Sequence, residues 1–167
     1  MNFKSICDAV LNKCNIDSDD IQAIDIVKLG INEAYGEIAK KECLTATTPV
    51  IIMDGIGKLP EDLIEVKKFV PSLKEGDKIQ GSSLFTEHEK SIQLTYTYLP
   101  DDLVEDFEEP EISLRYHKLL VAYGCFSYFQ YKKKNDIANS YFAAYNRGLS
   151  VFDKQYGAEN VVEVFSI

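Results

Sequence analysis

A chain of 167 residues is long enough for one domain with a real hydrophobic core, and 46% apolar with 27% charged residues is the ordinary composition of a soluble globular protein. No apolar run approaches the roughly 20 residues that a membrane-spanning helix needs, so no membrane partner is expected. The net charge of -9 argues against ordinary binding to nucleic acid, where Lys and Arg must face phosphates. It leaves room for DNA that passes an acidic wall without sticking to it. The opening, MNFKSICDAVLNKC, is too short and too polar for a signal peptide, and the protein is expected to stay in the compartment where it is made.

In chain order, residues 3 to 14 read as a short helix with Phe3, Ile6, Val10 and Leu11 on one side. Asn15 to Asp20 is a break, in which Asp17 or Ser18 is a plausible N-cap and Asp19 and Asp20 suit a first helical turn. A second helix, 18 to 42, carries the stripe Ile24, Val27, Ile31, Ala34, Tyr35 and Ile38. Gly30 and Gly36 lie inside it, where the usual reason is close approach of a neighbour.

From Leu44 the period changes to that of strands. Val50 to Met53 is followed by a turn at Asp54-Gly55-Ile56-Gly57. Leu63 to Val70 is a second strand, ended by Pro71, and Ile79 to Phe85 is a weaker one. Ser91 to Tyr98 is the clearest, with Ile92, Leu94, Tyr96 and Tyr98 on one face and Gln93, Thr95 and Thr97 on the other. Three or four such strands make a small antiparallel β-sheet inserted over residues 46 to 98, with one face covered.

No Lys or Arg occurs between Ser91 and Leu114, whereas Asp101, Asp102, Glu105, Asp106, Glu108, Glu109 and Glu111 crowd the same stretch. A charge run is most often a solvated loop. Its functional alternatives are a cation site or an acidic face that repels DNA, and the DxDxDG-like spacing of a calcium loop is missing. No metal and no cofactor is expected.

Residues 110 to 156 hold eleven of the nineteen aromatics. A helix at 113 to 133 is apolar nearly all round, which predicts burial on every side. Lys132, Lys133 and Lys134 close it, where cations suit the C-terminal end of the dipole. Asn135 then caps a helix at 136 to 156 with Ala138, Tyr141, Phe142, Tyr145, Leu149, Phe152 and Tyr156 on one stripe. A short connection makes the two antiparallel neighbours. Residues 1 to 156 thus read as a single α+β domain, an antiparallel bundle of about four helices with an inserted sheet. Gly157 stops the last helix, and residues 157 to 167 form an extended tail. Its Val161, Val162, Val164, Phe165 and Ile167 are apolar and β-prone, which suggests docking on its own domain or on a neighbouring chain.

Chemistry is sparse. No P-loop, GxSxG, HExxH or GxGxxG occurs. Cys7, Cys14, Cys43 and Cys125 lack ligand spacing and read as reduced thiols that act as small hydrophobes. His117 names no partner and no pocket. The expected class is structural or binding rather than enzymatic.

The order of the pieces resembles the head-to-tail adaptor (connector) proteins of tailed bacteriophages, over about residues 21 to 154. The pieces are Asn32-Glu33-Ala34-Tyr35 in a helix, Leu59-Pro60-Glu61-Asp62 before a strand, Glu109-Pro110, Tyr116-His117-Lys118-Leu119-Leu120 with Tyr123, and Asp136-Ile137-Ala138 with Tyr141 and Tyr145. Residues 72 to 89 depart from the family by lacking its Gly-x-Pro-x-x-Tyr approach to the last strand. The resemblance implies a virion structural protein without catalytic residues, located in the neck and assembled in the host cytoplasm. It implies a homo-oligomeric ring of twelve copies between the portal protein and a downstream tail or neck protein, with genomic DNA passing through the lumen. Asp101, Asp102, Glu105, Asp106, Glu108 and Glu109 would then line the lumen or a ring contact, and Val161, Val162, Val164, Phe165 and Ile167 would bind the portal or the adjacent subunit. The alternatives are a tail-completion or terminator ring, and a small enzyme using His117 with one of Glu105 to Glu111.

Overall fold

The computed structural model describes residues 1–156, and the side chains of residues 1–150; the tail from 157 on, and with it Val161, Val162, Val164, Phe165 and Ile167, lies outside the described residues. The class is α+β, with four helices and a six-stranded antiparallel sheet. The chain divides into two compact units, one made of Met1–Ile38 with Asp102–Ile167 and one of Ala39–Asp101.

In the first unit, α1 (Phe3–Cys14) opens on Asn2, whose side chain accepts from the Ser5 amide, and closes on Asn15 in the left-handed region at φ 50°. Its buried side is Phe3, Ile6, Cys7, Val10 and Cys14. α2 (Ile21–Glu42) starts three residues later than the sequence suggests. Its cap is Asp20 rather than Asp17 or Ser18: the Ala23 amide donates to Asp20 Oδ1 at 3.1 Å, and Lys132 Nζ donates to Oδ2 at 3.1 Å. The expected stripe is buried at Val27, Ile31, Ala34, Tyr35 and Ile38, joined by Ala23.

The aromatic-rich stretch begins with a 3-10 turn at Leu114–Tyr116 and becomes α3 only over His117–Tyr131, shorter at both ends than the 113 to 133 expected. α3 packs against α1 and against α4 (Asn135–Tyr156). Burial is complete along one line, His117, Leu120, Gly124 and Cys125, while Tyr123, Phe126 and Phe129 on its flanks are half-buried. An apolar helix that is aromatic on its flanks covers those flanks with ring contacts: Tyr123 with Tyr145 at 4.8 Å between centroids, Phe126 with Phe142 at 4.8 Å and Phe129 stacked on Tyr141 at 5.7 Å. The three lysines lie beyond the helix. Lys133 takes the left-handed conformation at φ 56° and the Lys134 amide donates to the Phe129 carbonyl at 2.9 Å, which reverses the chain toward α4 as a C-terminal glycine would.

Small residues set how closely these helices approach. A Cβ on Gly30 would lie 2.1 Å from Ser127 Oγ and 2.6 Å from Ser127 Cβ, so α2 meets α3 backbone to side chain at that point. A Cβ on Gly124 would lie 2.9 Å from Val10 Cγ2, where α1 meets α3.

The second unit is the sheet, in the order β3-β6-β1-β2-β5-β4. β1 (Thr45–Met53) starts five residues earlier than expected, because residues 45 to 51 pair with β6 (Ser91–Tyr98) before Ile52 and Met53 turn to β2 (Ile56–Lys58). Asp54 and Gly55 both have positive φ, 50° and 79°, as a two-residue hairpin requires, so Ile56 and Gly57 are strand rather than turn. β3 (Leu63–Val70) lies on the other side of β6. The single weak strand expected at 79 to 85 is a hairpin, β4 (Lys78–Gln80) and β5 (Ser83–Phe85), turned at Gly81 with φ 58°.

Alternation gives this sheet an inner face. Val50, Leu59, Leu84, Ile92, Leu94 and Tyr96 form one buried cluster, with Val66, Phe69 and Leu73 packed on it, so the sheet curls around its own core. Among the described residues no helix is long and apolar enough to cross a membrane.

Candidate interface: the acidic loop

The acidic residues divide between the units. Asp101 ends the sheet unit and is exposed; Asp102 to Glu111 belong to the helical unit. The latter stretch has no regular secondary structure, yet its backbone is held at four places. Asn32 of α2 clamps Leu103 from both sides, donating from Nδ2 to its carbonyl at 3.0 Å and accepting from its amide at 2.9 Å. The first amides of α1 have no partner inside their own helix, as in any helix. The Phe3 amide donates to the Glu108 carbonyl at 2.7 Å and the Lys4 amide to the Asp106 carbonyl at 3.0 Å. The Glu111 amide donates to the Tyr35 hydroxyl at 3.1 Å. Leu103, Pro110 and Ile112 are buried beneath the loop.

One acid serves the loop itself. Glu108 Oε2 accepts from the Val104 amide at 2.6 Å and the Glu105 amide at 2.8 Å, and these bonds hold its carboxyl below the usual range for a glutamate. Asp102, Glu105, Asp106 and Glu109 point their charge to solvent, and none of them forms an ion pair among the described residues. The sequence reading missed what stands between them: Val104 is 68% exposed and Phe107 75% exposed. An aromatic side chain held in water by a loop that is itself pinned to two helices is an anchor of the kind that protein interfaces use. The signal was present in LVEDFEE, where two apolar residues interrupt the acids at a spacing of three, but a loop has no periodicity to say that they point outward.

Two measurements follow from this geometry. Asn32→Ala removes both bonds to Leu103 and leaves a part-buried amide and carbonyl unsatisfied, which should cost about 1–3 kcal/mol. Urea titration should show the loss, and hydrogen exchange should localise it to the Leu103 amide. The lowered Glu108 carboxyl stabilises the loop fully above its unfolded-state pKa, 4.5, and that contribution is lost as pH falls below it through the folded value. Exchange of the Val104 and Glu105 amides should therefore accelerate, relative to the intrinsic rate, on acidification below about pH 4. Glu108→Gln should remove most of this pH dependence.

The other sequence candidates fall elsewhere. His117 is buried, 2% exposed, with Nε2 3.3 Å from the Ile112 carbonyl, so its ring faces the interior rather than a cleft. Three of the thiols are buried as expected and Cys43 is exposed. The neighbouring Cys125 thiol and burial raise the pKa of the Cys14 thiol, and burial pushes the Cys7 thiol up to about 11. Among the described residues no group of three or more His, Cys, Asp or Glu side chains is placed to hold a metal ion. No protein-family model matches this chain, and no curated protein matches it.

Proposed function

We propose that this chain is a head-to-tail adaptor of tailed bacteriophages: a structural virion protein, built as an antiparallel helical bundle with an inserted sheet, that forms a homomeric ring of twelve copies between the portal and the next tail or neck protein. The observation that carries this is the acidic loop. It keeps a fixed backbone through bonds to α1 and α2, and it holds four unpaired carboxylates, Asp102, Glu105, Asp106 and Glu109, in solvent around Val104 and Phe107. Fixed acid without basic partners repels a phosphate backbone, which suits a conduit that DNA must pass through and leave. The apolar pair at its tip suits a protein contact within the ring.

The order of sequence pieces that resembles the adaptors supports the same role. The tail from Val161 to Ile167 docks the ring on the portal or on the adjacent subunit. Removing Val161–Ile167 should abolish co-sedimentation with the portal ring and leave a folded protein; a truncated chain that still co-sediments normally contradicts the role of the tail. A tail-completion ring would use the same loop further down the particle, and portal and capsid genes just upstream of this one favour the adaptor. An enzyme built on His117 would have to bring substrate to a buried ring.

A further inference from the structure

Opposite the core, the sheet carries a second apolar surface. Register fixes it. Ile51 and Met53 are two apart on β1 and share a face; Met53 pairs with Ile56, Ile56 pairs with Phe85, and Phe85 pairs with Lys78. Directly paired residues point the same way, so these five side chains form one strip across β1, β2, β5 and β4. The face is the outer one, because Val50, Gly57 and Leu84, one residue away on three of these strands, face the core. Ile51 is 54% exposed, Met53 72% and Ile56 47%. The strip ends in a cation, with Lys78 Nζ 5.5 Å from the Phe85 ring centre. It floors a groove of about 1210 Å³, larger than the roughly 300–1,000 Å³ of small-molecule pockets. Its acids are partly engaged: Lys74 Nζ donates to Glu89 Oε1 at 2.8 Å, and the Lys74 amide to Asp77 Oδ2 at 2.7 Å.

We propose that this groove receives residues 161 to 167 of a second copy of the chain. In VVEVFSI every second position reads Val161, Glu163, Phe165 and Ile167, three apolar residues and one acid. The strip offers apolar residues and ends in one lysine, so an extended segment laid along it can bring Glu163 to Lys78 and bury Phe165 and Ile167 on the apolar part. The eleven residues beyond Tyr156 reach at most about 36–40 Å when extended, enough to leave one copy and cross the groove of the next. The choice of a second copy rests on the ring proposed above, since a tail-to-groove contact joins unlike surfaces and so propagates from copy to copy.

The chain has two methionines, Met1 and Met53, so photo-methionine places a crosslinker in the strip of the full-length protein without a substitution. A mixture of isotopically light and heavy copies should give, on irradiation, a crosslink from Met53 to a peptide within residues 157–167 that joins light to heavy. Met53→Leu should remove it, and Phe165→Glu should lower its yield about tenfold, as loss of an interface anchor does. Crosslinks from Met53 to other peptides, crosslinks confined to one copy, or none at all overturn the docking. Sedimentation of the same sample reads the ring separately. A ring without the crosslink removes the groove and keeps the adaptor; the crosslink in a particle that is not a ring does the reverse.

Discussion

Tyr145→Ala is expected to destabilise the helical unit by about 3–5 kcal/mol, a large share of a typical domain's stability. Tyr145 is 1% exposed and is the centre of the α3–α4 contact, 4.8 Å from the Tyr123 ring and 6.4 Å from that of Phe142. Its hydroxyl donates to Glu37 Oε2 of α2 at 2.6 Å, so one side chain ties three helices. Burial first, and the Glu37 bond second, push the phenol pKa well above its ordinary value, so the hydroxyl stays protonated and donating through any pH at which the protein would be handled. Truncation removes the ring, leaves a cavity and strips a carboxylate of its donor. Tyr145→Phe separates the two effects, since it keeps the packing and should cost about 1.5–3 kcal/mol for a bond to a charged group. Denaturant midpoints of the two variants check this: nearly equal losses would mean that the ring packs less than its burial says.

Gly30→Val should cost about as much by the opposite route. A Cβ alone would stand 2.1 Å from Ser127 Oγ and 2.6 Å from Ser127 Cβ. The hydroxyl can swing away, but a serine Cβ moves only with its backbone, so α2 and α3 must separate. Two further methyl groups cannot be placed without widening that crossing, and about 3 kcal/mol or more is expected, the top of the usual range for overpacking. Ser127→Gly in the Gly30→Ala background should restore most of the smaller loss, because it removes both clashing atoms. If Gly30→Val leaves the melting temperature unchanged, the close approach of α2 and α3 is wrong.

What could be seen in the sequence was what periodicity encodes. The bounds of α1 and the alternation of β6 came directly from spacing, because Phe3, Ile6 and Val10, or Ile92, Leu94 and Tyr96, leave one solution each. Gly30 announced a close approach correctly, though not that Ser127 is what approaches. Ends read less well. The cap of α2 was expected at Asp17 or Ser18, with Asp19 and Asp20 in the first turn; it is Asp20, whose second oxygen is held by Lys132, 112 residues away. Ile79 to Phe85 looked like one strand because the turn at Gly81-Ser82 contains no Asn or Pro to mark it. The candidate interface was half visible. The acids were plain, but nothing local to Asn32 points to Leu103, and the two hydrogen bonds between them span 71 positions. The outer strip of the sheet needs the pairing of Ile56 with both Met53 and Phe85, which no local pattern specifies.

The adaptor role is tested most directly by mixing the purified protein with the portal ring from the same genome and imaging the product by electron microscopy. The expected result is a second ring stacked on the narrow end of the portal, with an open central channel and with density for the acidic loop of residues 102–111 at the channel wall or between subunits. Twelvefold symmetry should be read from end-on views. A protein that remains a free monomer, leaving the portal bare, would contradict the proposed function.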